Sequence, residues 1–148
     1  VHDDLKNTTG LNDHSCFEAE NEDNQEWLMI INFTQEYITS FKSDEGKTHL
    51  SNAEFYIELE MPHLYQSLNG TGKTRKSAFN LSSGARVDFY EVTGLYKETG
   101  VYITYYWSII SEKKNIFNFY AWSTSADGSN PNGFKGRALK MIKSFKER

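Results

Sequence analysis

Apolar and polar positions alternate in two runs near the start of the chain, SCFEAE (residues 15–20) and EWLMIINF (26–33), joined by the turn-like NEDNQ. Such spacing predicts an antiparallel hairpin. In the second run Trp27, Met29, Ile31 and Phe33 share one face and Leu28 and Ile30 the other, so this strand is expected to be covered on both sides. TQEYITSFK then predicts a short helix with Thr34 as its N-cap. A second helix is announced by Ser51 and Glu54, the spacing at which each side chain satisfies the other's backbone N–H. Leu50, Ala53, Ile57, Met61, Leu64 and Leu68 form its expected apolar stripe. Pro62, which lacks an N–H and crowds the preceding turn, should kink or divide this helix near Glu60–Met61, and Asn69–Gly70 should stop it.

The pattern then returns to strands: KSAFNLS, ARVDFYEVT, VYITYYWSII and NIFNFYAWS, with the short spacers SG, GLYKETG and SEKK. Parallel neighbours need a crossover of a dozen or more residues, so these spacers predict a meander of antiparallel hairpins. Asn130–Pro131 suits an N-cap and first helical position, and Phe134, Ala138, Met141, Ile142 and Phe145 follow as one helical face. Lys143, Lys146 and Arg148 lie at the end where the helix dipole favours cations. Helices before and after a meander of doubly apolar strands predict an α+β domain with helices on both faces of an antiparallel sheet of about six strands.

Composition narrows this. The 148 residues suit one domain, read as a flexible polar leader over 1–13 and a single folded unit over 14–148. The core should be aromatic, because the chain has 3 Trp, 9 Tyr and 10 Phe although mean hydropathy is only −0.65. A net charge of −4 argues against binding nucleic acid. One cysteine excludes an intrachain disulfide and a multi-thiolate metal site, and no apolar run approaches the ~18–20 residues of a membrane span. Neither a cofactor nor a metal is expected. The N-x-S/T sequons at Asn7, Asn32, Asn69 and Asn80 would matter only in a eukaryotic secretory pathway.

Several features imitate chemistry. Asn69-Gly-Thr-Gly-Lys-Thr74 ends like a phosphate-cradling loop, but the first glycine of that motif would fall at Ser67, and the segment runs from helix to strand rather than strand to helix. His14 and Cys16 share a strand face without a third group to orient them, so a small strand cysteine beside a polar histidine is the simpler reading. Glu18 and Glu20, with Glu22, Asp23 and Glu26 around the turn, read as the protective charges of an edge strand. His2, His49 and His63 lack ligand spacing and read as surface residues, while Asp127-Gly-Ser-Asn130 lacks the acidic positions of a calcium loop. Aromatic density in the late meander is the distinctive signal. Most of it should be cross-strand packing; the functional alternative is a cleft to which Tyr90, Tyr102, Tyr106, Tyr120 and Trp122 present apolar rings with polar tips.

Over about residues 11–147 the chain resembles the bacterial PsbP-like proteins, related in fold to the photosystem subunit PsbP and the yeast Ran-binding Mog protein. LNDHSCFEAENEDNQEWLMIINFTQEYITSF resembles the opening hairpin and first helix, ARVDFYEVTG and GVYITYYWSII the central hairpin, and NIFNFYAWSTSAD with ALKMIKSFKER the closing strand and helix. The resemblance implies a three-layer α/β/α sandwich and a non-enzymatic module of the cell envelope or periplasm that binds another protein or scaffolds an assembly. It also implies a lipid tether that would lie upstream of Val1, since no lipobox leads into Cys16. The alternative function is binding of a small apolar or sugar-like molecule in the aromatic cleft.

Overall fold

The computed structural model describes residues 15–22, 25–68, 73–125 and 133–145. The leader, His14, the glycines of the loop after residue 68, Asp127-Gly-Ser-Asn130 and Pro131 lie outside these segments, as do the side chain of Cys16 and the proposed cap at Asn130. The elements run β1 (Ser15–Asn21), β2 (Glu26–Thr34), α1 (Gln35–Asp44), α2 (Asn52–Gln66), β3 (Lys73–Asn80), β4 (Arg86–Leu95), β5 (Tyr102–Ser111), β6 (Asn115–Ser125) and α3 (Phe134–Lys143). The chain is α+β. All six strands form one antiparallel sheet in the order β1-β2-β6-β5-β4-β3. The expected hairpin and four-strand meander are both present, and β2 joins them by pairing with β6, Trp27 opposite Trp122 and Met29 opposite Tyr120.

Parity along the strands sorts the core into two clusters. Met29, Ile31 and Phe33 of β2, Tyr90 and Val92 of β4, Trp107 and Ile109 of β5 and Tyr120 of β6 pack with Ile38 of α1 and Phe55, Tyr56 and Leu64 of α2. Residues of the opposite parity, Val87, Phe89, Tyr106, Ile110, Phe119 and Ala121, pack with Phe134, Ala138 and Ile142 of α3, and Leu28 and Ile30 join them partly buried. Strand β2 thus contributes to both clusters, as its doubly apolar pattern requires.

The helix boundaries follow local capping chemistry. Tyr37 N–H donates to Thr34 Oγ1 over 3.1 Å, which makes Thr34 the α1 cap. At α2 the Glu54 N–H donates to Ser51 Oγ over 3.1 Å and the Ser51 N–H to Glu54 Oε2 over 2.8 Å, a complete capping box. The α3 cap is Gly133, at φ 66°, where the absence of a Cβ permits the left-handed backbone.

Three expectations need correction. Helix α2 is continuous through Pro62. Proline removes the bond to the Glu58 carbonyl, but Pro62 and Glu58 are both exposed, so that carbonyl can be hydrated instead. The buried stripe of α2 is also rotated: Phe55, Tyr56, Glu60 and Leu64 are buried, whereas Ala53, Ile57 and Met61 are half-buried, because the aromatic side chains take the sheet-facing side. In α3, Met141 is exposed, while Phe145 lies past the helix end with its ring 4.7 Å from that of Phe117. Lys73 and Thr74, the tail of the loop resembling a phosphate cradle, belong to β3 and pair with Thr93 and Val92. In that strand their backbone serves the sheet, not an anion.

Candidate functional site

Beside the α2 cluster lies a cavity of about 520 Å³. Its floor is the sheet: Trp27 and Met29 from β2, Tyr120, Trp122 and Thr124 from β6, and Ile103 and Tyr105 from β5. Register brings them together, since Trp122 lies between Trp27 on one side and Tyr105 on the other, and strand alternation turns all three to one face. The indoles of Trp27 and Trp122 stack with centroids 6.2 Å apart at 14°, and Tyr105 tilts against Trp122 at 6.3 Å. Helix α2 forms the opposite wall with Glu60, His63 and Leu64, residues that helical periodicity places on one side. Ser67, at the α2 C-cap, and Tyr96 and Thr99, at the β4–β5 connection, complete the lining.

The connection is held by backbone and packing. Tyr96 N–H donates to the Val101 carbonyl over 2.9 Å and Lys97 N–H to the Ser67 carbonyl over 3.1 Å. Leu68 pairs with Tyr96 in an isolated bridge and lies against Gly94, where an added Cβ would come within 3.0 Å of Leu68 Cδ1. Gly94 therefore sets how closely the end of α2 approaches the sheet.

Glu60 is the unusual group. It is 4% exposed, and its Oε2 is buried without a hydrogen-bond partner among the described residues. Burial penalises the charged carboxylate and pushes its pKa up to about 8, so the group is predominantly a neutral acid at pH 7. His63 Nδ1, one helical turn on, is likewise buried and unpartnered among the described residues. Beside Glu60, the Tyr56 and Tyr120 hydroxyls bond each other at 3.3 Å, and burial holds both phenols well above their usual pKa. Burial also raises Tyr105, whose hydroxyl is 3.3 Å from Ser67 Oγ. Ser67 Oγ donates to the Leu64 carbonyl over 2.7 Å. Among the described residues no lysine or arginine lines the cavity. The described residues contain no group of three or more His, Cys, Asp or Glu placed to hold a metal.

The structure separates the five aromatic residues singled out from sequence. Tyr120 and Trp122 line this cavity. Tyr90 is on the same face but lines a larger groove, of about 780 Å³, near the start of α2. Several polar groups of that groove already have partners: Arg86 pairs with Asp88 at 2.9 Å, Lys42 Nζ donates to the Leu50 carbonyl over 2.8 Å, and Glu54 closes the capping box. Tyr106 faces the other way, against Phe89 and Phe134, and Tyr102 shares its parity. Sequence inspection missed Glu60, His63, Trp27 and Tyr105 as site residues; the available signal was the 4, 3, 1, 3 spacing of Tyr56, Glu60, His63, Leu64 and Ser67 along one side of a helix.

The other sequence candidates fall elsewhere. Glu18 and Glu20 are exposed on edge strand β1. Glu26 is buried and bonded to Arg137 of α3. His49 is exposed.

No family model matches the chain, and no curated protein matches it. Among solved structures it is similar to the crystal structure of PA94, a Pseudomonas aeruginosa protein of unknown function provisionally described as a regulator, with a TM-score of 0.61 and 12% identity over 93% of this chain and 86% of that one. At this identity the likeness concerns the fold.

Proposed function

We propose that the chain is a non-catalytic binding module that takes a small, largely apolar molecule in the cavity between α2 and strands β2, β5 and β6. The observation that carries this is the cavity itself, about 520 Å³, walled by stacked indoles and tyrosine rings. This volume falls within the ~300–1,000 Å³ range of ligand pockets, which combine apolar walls with a few polar groups. A binding role rather than catalysis is supported by the fate of the serine in the lining, since Ser67 Oγ donates its proton to the Leu64 carbonyl. The same proposal includes a three-layer α/β/α arrangement, supported by two core clusters of opposite strand parity, one holding α1 and α2 and the other α3. PsbP-like kinship and an envelope setting with a tether upstream of Val1 belong to it too, supported by the sequence stretches quoted above; a leader without a charged, apolar, Cys-terminated pattern in the genomic sequence would remove the tether.

Thermal-shift screening tests the ligand-binding role. A molecule that binds only the folded form must raise the melting temperature, by an increment that grows with its concentration. A broad library of small apolar and sugar-like compounds that gives no shift would count against the proposal.

Binding of another protein is a second proposed function, favoured by Phe17, which is 57% exposed on β1, a strand paired on one side only among the described residues. An exposed edge can accept an extended segment as an added strand. Phe17→Lys should abolish specific capture of such a partner; capture that survives it would point elsewhere.

A further inference from the structure

We propose that this pocket is selective for an organic cation, an alkylammonium group held against the Glu60 carboxyl and surrounded by the rings of Trp27, Tyr105, Tyr120 and Trp122. This deepens the ligand-binding function proposed above and rests on it.

Three observations point to a cation. First, aromatic rings attract positive charge through their faces, tryptophan most strongly, and two indoles and two of the tyrosines contribute to the lining. Second, among the described residues Glu60 supplies the one carboxyl in the lining, and its buried Oε2 has no protein partner there. A buried acid lacking a partner is costly to keep, and an incoming organic cation supplies the counter-charge that its ionised form lacks. Third, no lysine or arginine among the described residues lines the cavity, so none of these competes for Glu60 or would welcome an anion. A sugar would need several free polar side chains, whereas Ser67 is bonded to the Leu64 carbonyl and Thr124 Oγ1 to Gln25.

Selectivity should carry a proton signature. Burial holds Glu60 near a pKa of about 8, and a bound ammonium favours the ionised form, so binding at pH 7 expels the carboxyl proton. Affinity for a permanent cation should therefore rise by up to about tenfold per pH unit below 8 and level off above it. The titratable groups facing Glu60 or lining its pocket are His63 and Tyr56 of α2, Tyr105 of β5, Tyr120 of β6 and Tyr96. Burial keeps Tyr56, Tyr105 and Tyr120 neutral over this range.

The test compares choline with its uncharged carbon isostere, 3,3-dimethylbutan-1-ol, by calorimetry on the full chain between pH 6 and 9, with 2-naphthol as a neutral apolar probe. Choline should bind at least tenfold more tightly than the isostere at pH 8 and lose that advantage towards pH 6. Glu60→Gln should equalise the two, and His49→Gln, at an exposed histidine outside the cavity, should preserve the preference. Equal binding of choline and the isostere, with 2-naphthol bound, would overturn the cation assignment and leave the ligand-binding function standing. If none of the three binds, both fail. The wild-type comparison needs no variant, so a folding defect in either substitution does not blunt the test.

Discussion

The two core clusters are built to different standards. Under α3, Phe134, Ala138 and Ile142 close over Val87, Phe89, Tyr106 and Ile110, and every one of these residues is apolar or aromatic and nearly inaccessible. Under α2 the packing is interrupted: Glu60 is buried as an acid, His63 Nδ1 is left without a partner among the described residues, and about 520 Å³ remains open beside stacked indoles. Burying an unpaired polar group and leaving a cavity both cost stability. The cavity and the buried acid fall beside the α2 cluster, which points to a division of labour in which the α3 cluster carries stability and the α2 cluster keeps a carboxyl for a ligand.

Truncation of the α3 cluster should produce the largest effect. Phe134→Ala removes a ring 5.7 Å from Tyr106 and should cost about 3–5 kcal/mol in denaturant unfolding while leaving binding of apolar probes to the surviving folded protein unchanged. Loss of probe binding in that variant would mean that the two clusters are coupled.

Somewhat smaller, and opposite in sign, is the effect of Glu60→Gln. Because the Glu60 pKa is raised from 4.5 to about 8, the folded state holds a proton that the unfolded state releases between those values. Stability therefore falls as pH climbs from 4.5 to 8 and stays low above it. Glu60→Gln should match the wild type near pH 4.5 and exceed it by on the order of 3 kcal/mol at pH 9, measured as the difference between their urea midpoints across pH. Parallel curves would show that Glu60 is solvated.

How much of this was visible beforehand depends on whether the signal was local. The Thr34 cap and the Ser51–Glu54 box involve residues within one turn, and the four late strands are delimited by short spacers, so each could be read in sequence. The β2–β6 pairing joins Glu26 to Ser123 across nearly the whole chain and leaves no local trace. Without it, strand parities could not be compared, which is why Tyr106 was grouped with Trp122 although register sets Trp122 against Tyr105. Glu60 was obscured for a chemical reason. A carboxylate between Leu59 and Met61 ordinarily marks a solvated helix face, and only the rotation of α2 imposed by Phe55 and Tyr56 turns it inward.

The smallest predicted effect concerns the walls of the pocket. Trp122→Ala breaks the stack with Trp27, on a side chain only half-buried, and should weaken binding of the probe that fits by about tenfold, or about 1.4 kcal/mol, with a smaller change in stability than Phe134→Ala. Measured in one titration series, the two alanine variants should give opposite rankings for stability and for binding.

The division between the two clusters is tested most directly by titrating Glu60 itself, following its side-chain carboxyl carbon by NMR in the ligand-free protein. The midpoint should lie near pH 8, shifting downward when choline is present. A midpoint of about 4–5, the ordinary range for glutamate, would show a solvated carboxylate and contradict the account.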